Sequence, residues 1–342
     1  MKAEVCLVPA RERIPGRERL PAALFRHPAW VAWKETQGWR RVGELDGRPV
    51  LVRDLTPRSS MAYVLGPALG GDEDDRGGRL EALSLRARPL LPSDCAFIRW
   101  DLLDAPWRGA EGAPLDTRLI ELRMNASTLE RRLRKAAVEP LCPDTMVVDL
   151  RGGWPAVAGR MEHRARYSAQ LAERRGTRVE KAGEAGLGDF HALFRKTASL
   201  RGLKLHDEAC YRELFRTARE TGLTLDLYLA TAAGTPVASA VFARHRREAW
   251  YLFAASDPAC RRWAGPSAIL HRALRECAEA GDERIDLLGV APAGMTSHPL
   301  AGLSLFKASF GGVRKSRAGA WDFVLDPEVY EAYARAEAIA LP

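Results

Sequence analysis

The chain has 342 residues, 46% hydrophobic and 28% charged, a composition that excludes wholesale disorder, collagen-like repeats and coiled-coil rods. Its length exceeds one average domain, so two are expected. Its net charge of +8 suits a polyanionic partner or substrate without choosing among RNA, phosphorylated small molecules and a membrane surface.

In chain order, residues 20–34 read as a short helix. Trp39 to Arg53 reads as two strands around an Asp46-Gly47 turn. Met61 to Gly66 is strand-like, Gly70 to Gly78 an acidic, glycine-rich loop, and Leu80 to Arg88 a helix. Cys95 to Asp101 and Thr117 to Arg123 alternate like strands, and Ser127 is placed to open a basic helix through Val138. The proline-punctuated Glu139-Pro140-Leu141-Cys142-Pro143 marks a boundary.

The second half starts with a strand at Thr145 to Leu150 and a helix from Pro155 to Gly176. Phe190, Leu193, Phe194, Thr197 and Leu200 recur at helical spacing, and Asp207 can cap a further helix to Thr221. Leu223, Leu225, Leu227 and Leu229 alternate as a half-buried strand, followed by strands 236–244 and 248–255. Helix 266–280, strand 284–288, helix 302–309, strand 320–325 and a helix from Pro327 complete the chain. Both halves share a rhythm of helix, antiparallel strands, helix and strand, which points to a duplicated α+β architecture.

Cys6, Cys95, Cys142, Cys210, Cys260 and Cys277 are scattered without a CxxC pair. They predict reduced thiols in a cytoplasmic protein, with no metal site. Charges and prolines break up the N-terminus and the longest apolar stretch, Leu223 to Ala243, so neither a signal peptide nor a membrane span is expected. HExxH, GxSxG and P-loop signatures are absent, and the seven histidines are isolated. Arg262-Trp263-Ala264-Gly265-Pro266-Ser267, between a strand and a helix, has the setting in which N-acetyltransferase folds hold a pyrophosphate at a helix start. It also reads as an ordinary helix entry.

A sharper signal runs from Ile285-Asp286-Leu287-Leu288-Gly289-Val290 through Gly302-Leu303 and Phe306-Lys307-Ala308-Ser309-Phe310-Gly311-Gly312 to Gly319-Ala320-Trp321-Asp322-Phe323-Val324-Leu325. In this order the segments resemble the FemABX family of peptidoglycan peptidyltransferases. His27-Pro28-Ala29-Trp30 with Lys34, Tyr63 to Pro67, and Phe97-Ile98-Arg99-Trp100-Asp101 agree with the family's first half. There Leu102 stands where the family has proline. Val148-Asp149-Leu150, Met161, Arg166-Tyr167 and Arg175-Gly176 resemble the start of its second half. The resemblance covers nearly the whole chain and implies an α+β fold of two tandem GNAT-like (acyl-CoA N-acyltransferase-like) domains of the compact, armless type. The first would span 1–143, completed by the tail 317–342, and the second 144–316.

The resemblance also implies an activity: transfer of an aminoacyl group from aminoacyl-tRNA to an amine on the stem peptide of a peptidoglycan precursor, UDP-linked or lipid-linked. Aminoacyl-tRNA is then a co-substrate and no cofactor is required. DNA is not a partner, and membrane contact is at most peripheral. An activated ester carries its own driving force, so alignment and oxyanion stabilisation suffice, without a nucleophile triad. The family's catalytic positions fall on Lys307, near the reacting carbonyl, and Asp101, assisting proton transfer. Its precursor-binding positions fall on Lys34, Tyr211 and Tyr251. Upstream of Tyr211, where the family often has an arginine, this chain has Leu205-His206-Asp207, so that either Arg201 or Lys204 substitutes or phosphate contact there is weaker. Only eight of the 52 basic residues are lysine, so two lysines at family positions carry weight. Basic runs at 131–135, 160–178, 244–247 and 314–317 offer charge that could track an RNA backbone. An acyl-CoA-dependent N-acyltransferase and a noncatalytic RNA- or precursor-binding relative are the rival functions.

Overall fold

The computed structural model describes residues 23–339 apart from 68, 109–114 and 202–204. Two mixed sheets organise these residues. The first contains β1 (Arg40–Leu45), β2 (Arg48–Thr56), β3 (Ser59–Leu65), β4 (Cys95–Leu102) and β5 (Leu133–Lys135). Between β3 and β4 runs helix α2 (Arg76–Ala87), and α1 (Pro28–Glu35) precedes β1. The second contains β6 (Asp144–Asp149), β7 (Arg178–Lys181), β8 (Thr224–Ala232), β9 (Thr235–His245), β10 (Glu248–Ser256), β11 (Arg284–Gly289) and β12 (Val313–Ser316). The last strand, β13 (Gly319–Val324), returns to the first sheet and lies between β4 and β5. The strand orders are β1-β2-β3-β4-β13-β5 and β12-β6-β11-β10-β9-β8-β7.

The duplication is visible in the pairing. β1, β2 and β3 form an antiparallel meander, α2 crosses over, and β4 joins parallel to β3. Likewise β8, β9 and β10 form a meander, α8 (Gly265–Glu279) crosses over, and β11 joins parallel to β10. Each parallel pair needs a crossover because its strands run the same way, and a helix is the compact solution. The chain has the expected α+β class with two GNAT-like domains.

β13 belongs to the first sheet through a buried charge network as well as its backbone. Arg99 on β4 donates from Nε and Nη2 to the two oxygens of Asp322 on β13, both at 2.8 Å. It also reaches Glu337 of the closing helix α10 (Pro327–Ile339) at 2.7 and 2.8 Å. Helix α1 packs on α7 (Glu208–Thr221), so Trp30 and Trp33 share a buried cluster with Leu214, Ala218 and Trp250 of the second half. Among the described residues, no helix is long and apolar enough to cross a membrane.

Three local expectations fail for identifiable reasons. Residues 117–123 are helical, not extended: α3 (Thr117–Ala126) is capped by Asp116, whose carboxylate accepts the Leu119 N–H at 2.8 Å. Ser127 ends that helix instead of opening another, its Oγ accepting the Gly78 N–H at 3.0 Å. The basic stretch after it turns through Arg131 (φ 53°) into β5, because β13 offers it a pairing partner almost 190 positions away. The single helix expected at 155–176 is two, α4 (Gly153–Arg160) and α5 (His163–Arg174). The break at Met161-Glu162 is held by Arg166, which donates to the Ala158 and Met161 carbonyls, and by Glu162 N–H to the Ser309 carbonyl.

Candidate active site

The two parallel strand pairs differ in one respect that creates a site. β3 and β4 stay paired to their ends, Leu65 opposite Asp101. β10 keeps its antiparallel partner β9 as far as Ser256, but pairs with β11 only from Glu248 to Trp250, opposite Arg284 to Asp286. Beyond that point a cleft of about 690 Å³ opens between the strands, lined among others by Ser239, Tyr251, Leu288, Gly289, Pro266 and Lys307.

The cause of the parting is local. The buried Asp286 carboxylate accepts the Leu288 N–H at 2.8 Å and the Thr145 hydroxyl. This kinks β11, breaks register with β6 between Asp286 and Gly289, and puts Leu288 at φ 59°. A left-handed leucine costs roughly 1–2 kcal/mol, so the bend is sustained by its surroundings. Gly289 is required there because a Cβ would lie 2.6 Å from the Cys142 sulfur.

The bend aims two carbonyls at Lys307. Its Nζ donates to Gly289 O at 2.7 Å and Leu288 O at 3.2 Å. It sits on α9 (Ala301–Ser309) and is 4% exposed, and no carboxylate lies within ion-pair distance among the described residues. Burial lowers its pKa to about 8, against the opposing influence of Asp286 and Cys142. A cation that is mostly protonated at neutral pH, fixed by neutral dipoles and facing a cleft, can stabilise an oxyanion. Ser239, buried on the cleft wall, has a hydroxyl with no hydrogen-bond partner among the described residues, and so is available to a ligand.

A second constellation lies around Lys34 and Asp101. The Lys34 ammonium rests near the rings of Trp33 and Trp30, 5.6 and 5.9 Å from their centroids, with no hydrogen bond or ion pair among the described residues. Burial and the neighbouring Arg53 lower its pKa to about 8, opposed by Asp101. Asp101 is fully buried. Its Oδ2 accepts the Tyr63 hydroxyl at 3.1 Å, while Oδ1 has no hydrogen-bond partner, with Arg317 Nη1 4.0 Å away. Burial raises its pKa above the usual carboxylate range.

Arg317 connects the two constellations. It lies in the short crossing from β12 to β13 and donates to the carbonyl of Cys142 at 2.6 and 3.2 Å, the same residue whose sulfur crowds Gly289. In sequence it is one member of the basic run at 314–317, yet it is 8% exposed. Ser239 was equally hidden, as a small residue inside an alanine-rich strand.

Of the other sequence candidates, Tyr251 joins Lys307 in the cleft, its ring stacked on Phe242 with centroids 4.8 Å apart. Tyr211 is core: it is 1% exposed and edge-packed by Phe190 and Phe253 at 5.1 and 5.4 Å. Phe253 also meets Trp33 at 5.5 Å, so Tyr211 supports the Lys34 side from behind. Arg201 ends α6 (Leu187–Arg201); its side chain and all of Lys204 lie outside the described residues. Among the described residues, no cluster of three metal-ligating side chains occurs.

Comparison with known proteins agrees with this architecture. The model of the FemAB family matches residues 226–338, a segment that includes both strands of the cleft and Lys307. No curated protein matches the sequence. The crystal structure of FemX is similar over 92% of this chain and 96% of its own, with a TM-score of 0.70 at 15% identity. The C-terminal DUF2156 domain of a protein described as a lysylphosphatidylglycerol synthetase from Agrobacterium fabrum covers 92% of both chains, with a TM-score of 0.56 at 15% identity. L-PGS from Bacillus licheniformis covers 89% of this chain and 90% of its own, at 0.53 and 13% identity. The chain thus carries a FemAB-family segment within a FemX-like fold, and the family resemblance read from its motifs holds.

Proposed function

We propose that this protein is an aminoacyltransferase that moves an amino acid from aminoacyl-tRNA to the stem-peptide side-chain amine of a peptidoglycan precursor, UDP-linked or lipid-linked. The observation that carries this reading is Lys307: a buried ammonium held by two carbonyls beside a cleft, with no carboxylate in ion-pair distance among the described residues. The FemAB match across that segment supports it. In the reaction the acceptor nitrogen bonds to the ester carbonyl carbon, and the carbonyl oxygen takes up negative charge facing Lys307. The intermediate then expels the ribose oxygen, which leaves with the proton that the attacking amine gives up. Asp101, with an unengaged oxygen and a raised pKa, is the group suited to accept that proton from the amine. Lys34, with no ion-pair partner among the described residues, suits a precursor phosphate.

The test is incubation with a charged tRNA mixture and either UDP-linked or lipid-linked muramyl pentapeptide. A mass gain of one aminoacyl residue on the peptide is expected. Binding without any gain would instead identify a noncatalytic relative. Lys34→Met is expected to raise the KM for the precursor roughly 10- to 100-fold, the value of one charge-assisted contact, with little change in kcat. That contact is made in ground and transition states alike, and steady-state kinetics over a precursor titration will separate the two parameters.

A second reading, acyl-CoA-dependent N-acylation, draws on the parted strands and the N-terminus of α8, with Arg261 and Pro266 in the cleft wall. Gly265 has a packing reason of its own: a Cβ there would lie 2.9 Å from Ala238 Cβ, so the R-x-x-G spacing needs no phosphate to explain it. Gain of mass with acyl-CoA alone would favour this alternative.

A further inference from the structure

We infer that the outward face of α5 is a docking surface for the helical stem of the donor RNA, placed so that the stem's 3′ end enters the cleft at Lys307. The inference rests on the aminoacyl-tRNA reading above and concerns where, on this chain, the RNA lies.

Helix α5 buries Ala165, Ala169 and Ala172 against α8, which commits one face to packing and leaves the opposite face to solvent. That face is basic and aromatic. From 160 to 178 the sequence has six arginines against two glutamates, half of the whole chain's net charge in 19 positions. Arg160, Arg164, Arg174, Arg175 and Arg178 are exposed. Arg166 is excluded because it is consumed in the α4–α5 break, and Arg164 is paired with Glu162 at 2.8 Å. Arg174 and Arg178 have no ion-pair partner among the described residues. Tyr167 is 47% exposed, lies near-parallel to His163 with centroids 6.1 Å apart, and has the Arg174 guanidinium 5.4 Å from its ring. A supported ring of this kind offers a π-face to a base or ribose.

Both ends of α5 are tied to the walls of the cleft. Arg164 donates to Leu305 O at 2.8 Å, two residues before Lys307. At the other end Arg175 donates to Arg262 O, and Thr177 Oγ1 to Trp263 O at 2.7 Å, in the loop that carries Arg261 to the cleft. Arg164 and Arg174 are ten residues apart, about 15 Å along the helix, or roughly four phosphate steps of one strand. The exposed arginines along and just beyond that length, with Arg174 and Arg178 unpaired among the described residues, have charge complementary to an RNA backbone and carry no sequence preference.

The test uses the full chain and an acceptor-stem RNA hairpin, with affinity read by fluorescence anisotropy across a salt series. Arg174→Glu combined with Arg178→Glu is expected to weaken binding at least tenfold and to flatten the log–log salt dependence by about two. Tyr167→Ala is expected to weaken it roughly tenfold with the slope unchanged. Both variants should keep the wild-type transfer rate from a 3′-aminoacyl-adenosine, which has no stem to dock; this readout also confirms folding. Wild-type affinity in the charge-reversed variant would overturn the placement and leave aminoacyl transfer standing. Wild-type protein that transfers from aminoacyl-adenosine but binds no hairpin would do the same. A hairpin bound through α5 without transfer from any aminoacyl ester would sustain the surface and sink the proposed reaction.

Discussion

Lys307→Met is expected to lower kcat by about 10²–10³-fold while leaving precursor affinity near wild type, the signature of a group whose contact strengthens only as charge develops on the carbonyl oxygen. The pH dependence supplies an independent check. Lys307 has its pKa lowered to about 8, so its charge is present below pH 8 and disappears as pH rises through that value. The wild-type advantage over Lys307→Met should therefore be full near pH 7 and shrink above pH 8, measured as the ratio of the two kcat profiles. Lys307→Arg should restore little of the rate, because a planar guanidinium cannot occupy the point between the Leu288 and Gly289 carbonyls that the ammonium fills. Near-wild-type kinetics in both variants would remove Lys307 from the chemistry.

Arg99→Leu is expected to destabilise the protein by about 3–5 kcal/mol, read as a shift in the urea unfolding midpoint at unchanged slope. Arg99 is 3% exposed and holds the carboxylates of Asp322 and Glu337 together. Its loss leaves Asp322 buried with, among the described residues, only the Tyr330 hydroxyl, at 3.2 Å, still donating to its carboxylate, together with a half-freed Glu337. Replacing Arg99 and Asp322 together by leucines should recover much of the loss, since the cost arises from stranded charge more than from the missing pair. A single variant as stable as wild type would mean that β13 and α10 are held by packing alone.

Much of this fold was legible because its elements announce themselves locally. Alternating leucines gave β8, the Asp46-Gly47 turn gave the β1–β2 hairpin, and Pro327 marked the start of α10. The failures share one cause: the deciding partner lay far away in sequence. β5 exists because β13 arrives beside it, and β12 because β6 accepts it, so neither short strand carries a pattern of its own. The site divides in the same way. Lys307 and Lys34 stand out because lysine is rare here and both fall in motif segments. Arg317 and Ser239 owe their interest to burial and to missing or shared partners, which composition does not encode. Tyr211 is an apolar-face residue, and the aromatic shell from Phe190, Phe194 and Phe253 accounts for its burial.

The return of β13 to the first sheet also has a consequence for how the protein is made. Until β13 emerges from the ribosome, β4 and β5 have no strand to join them, and Arg99 has neither of its carboxylates. The N-terminal half, though synthesised first, would wait with an open strand edge while the C-terminal sheet is already complete through β12. Such an edge is a hazard for mispairing during synthesis. Chains cut short near residue 318 should therefore be lost to aggregation or proteolysis despite containing every cleft residue, so that only full-length product survives to act.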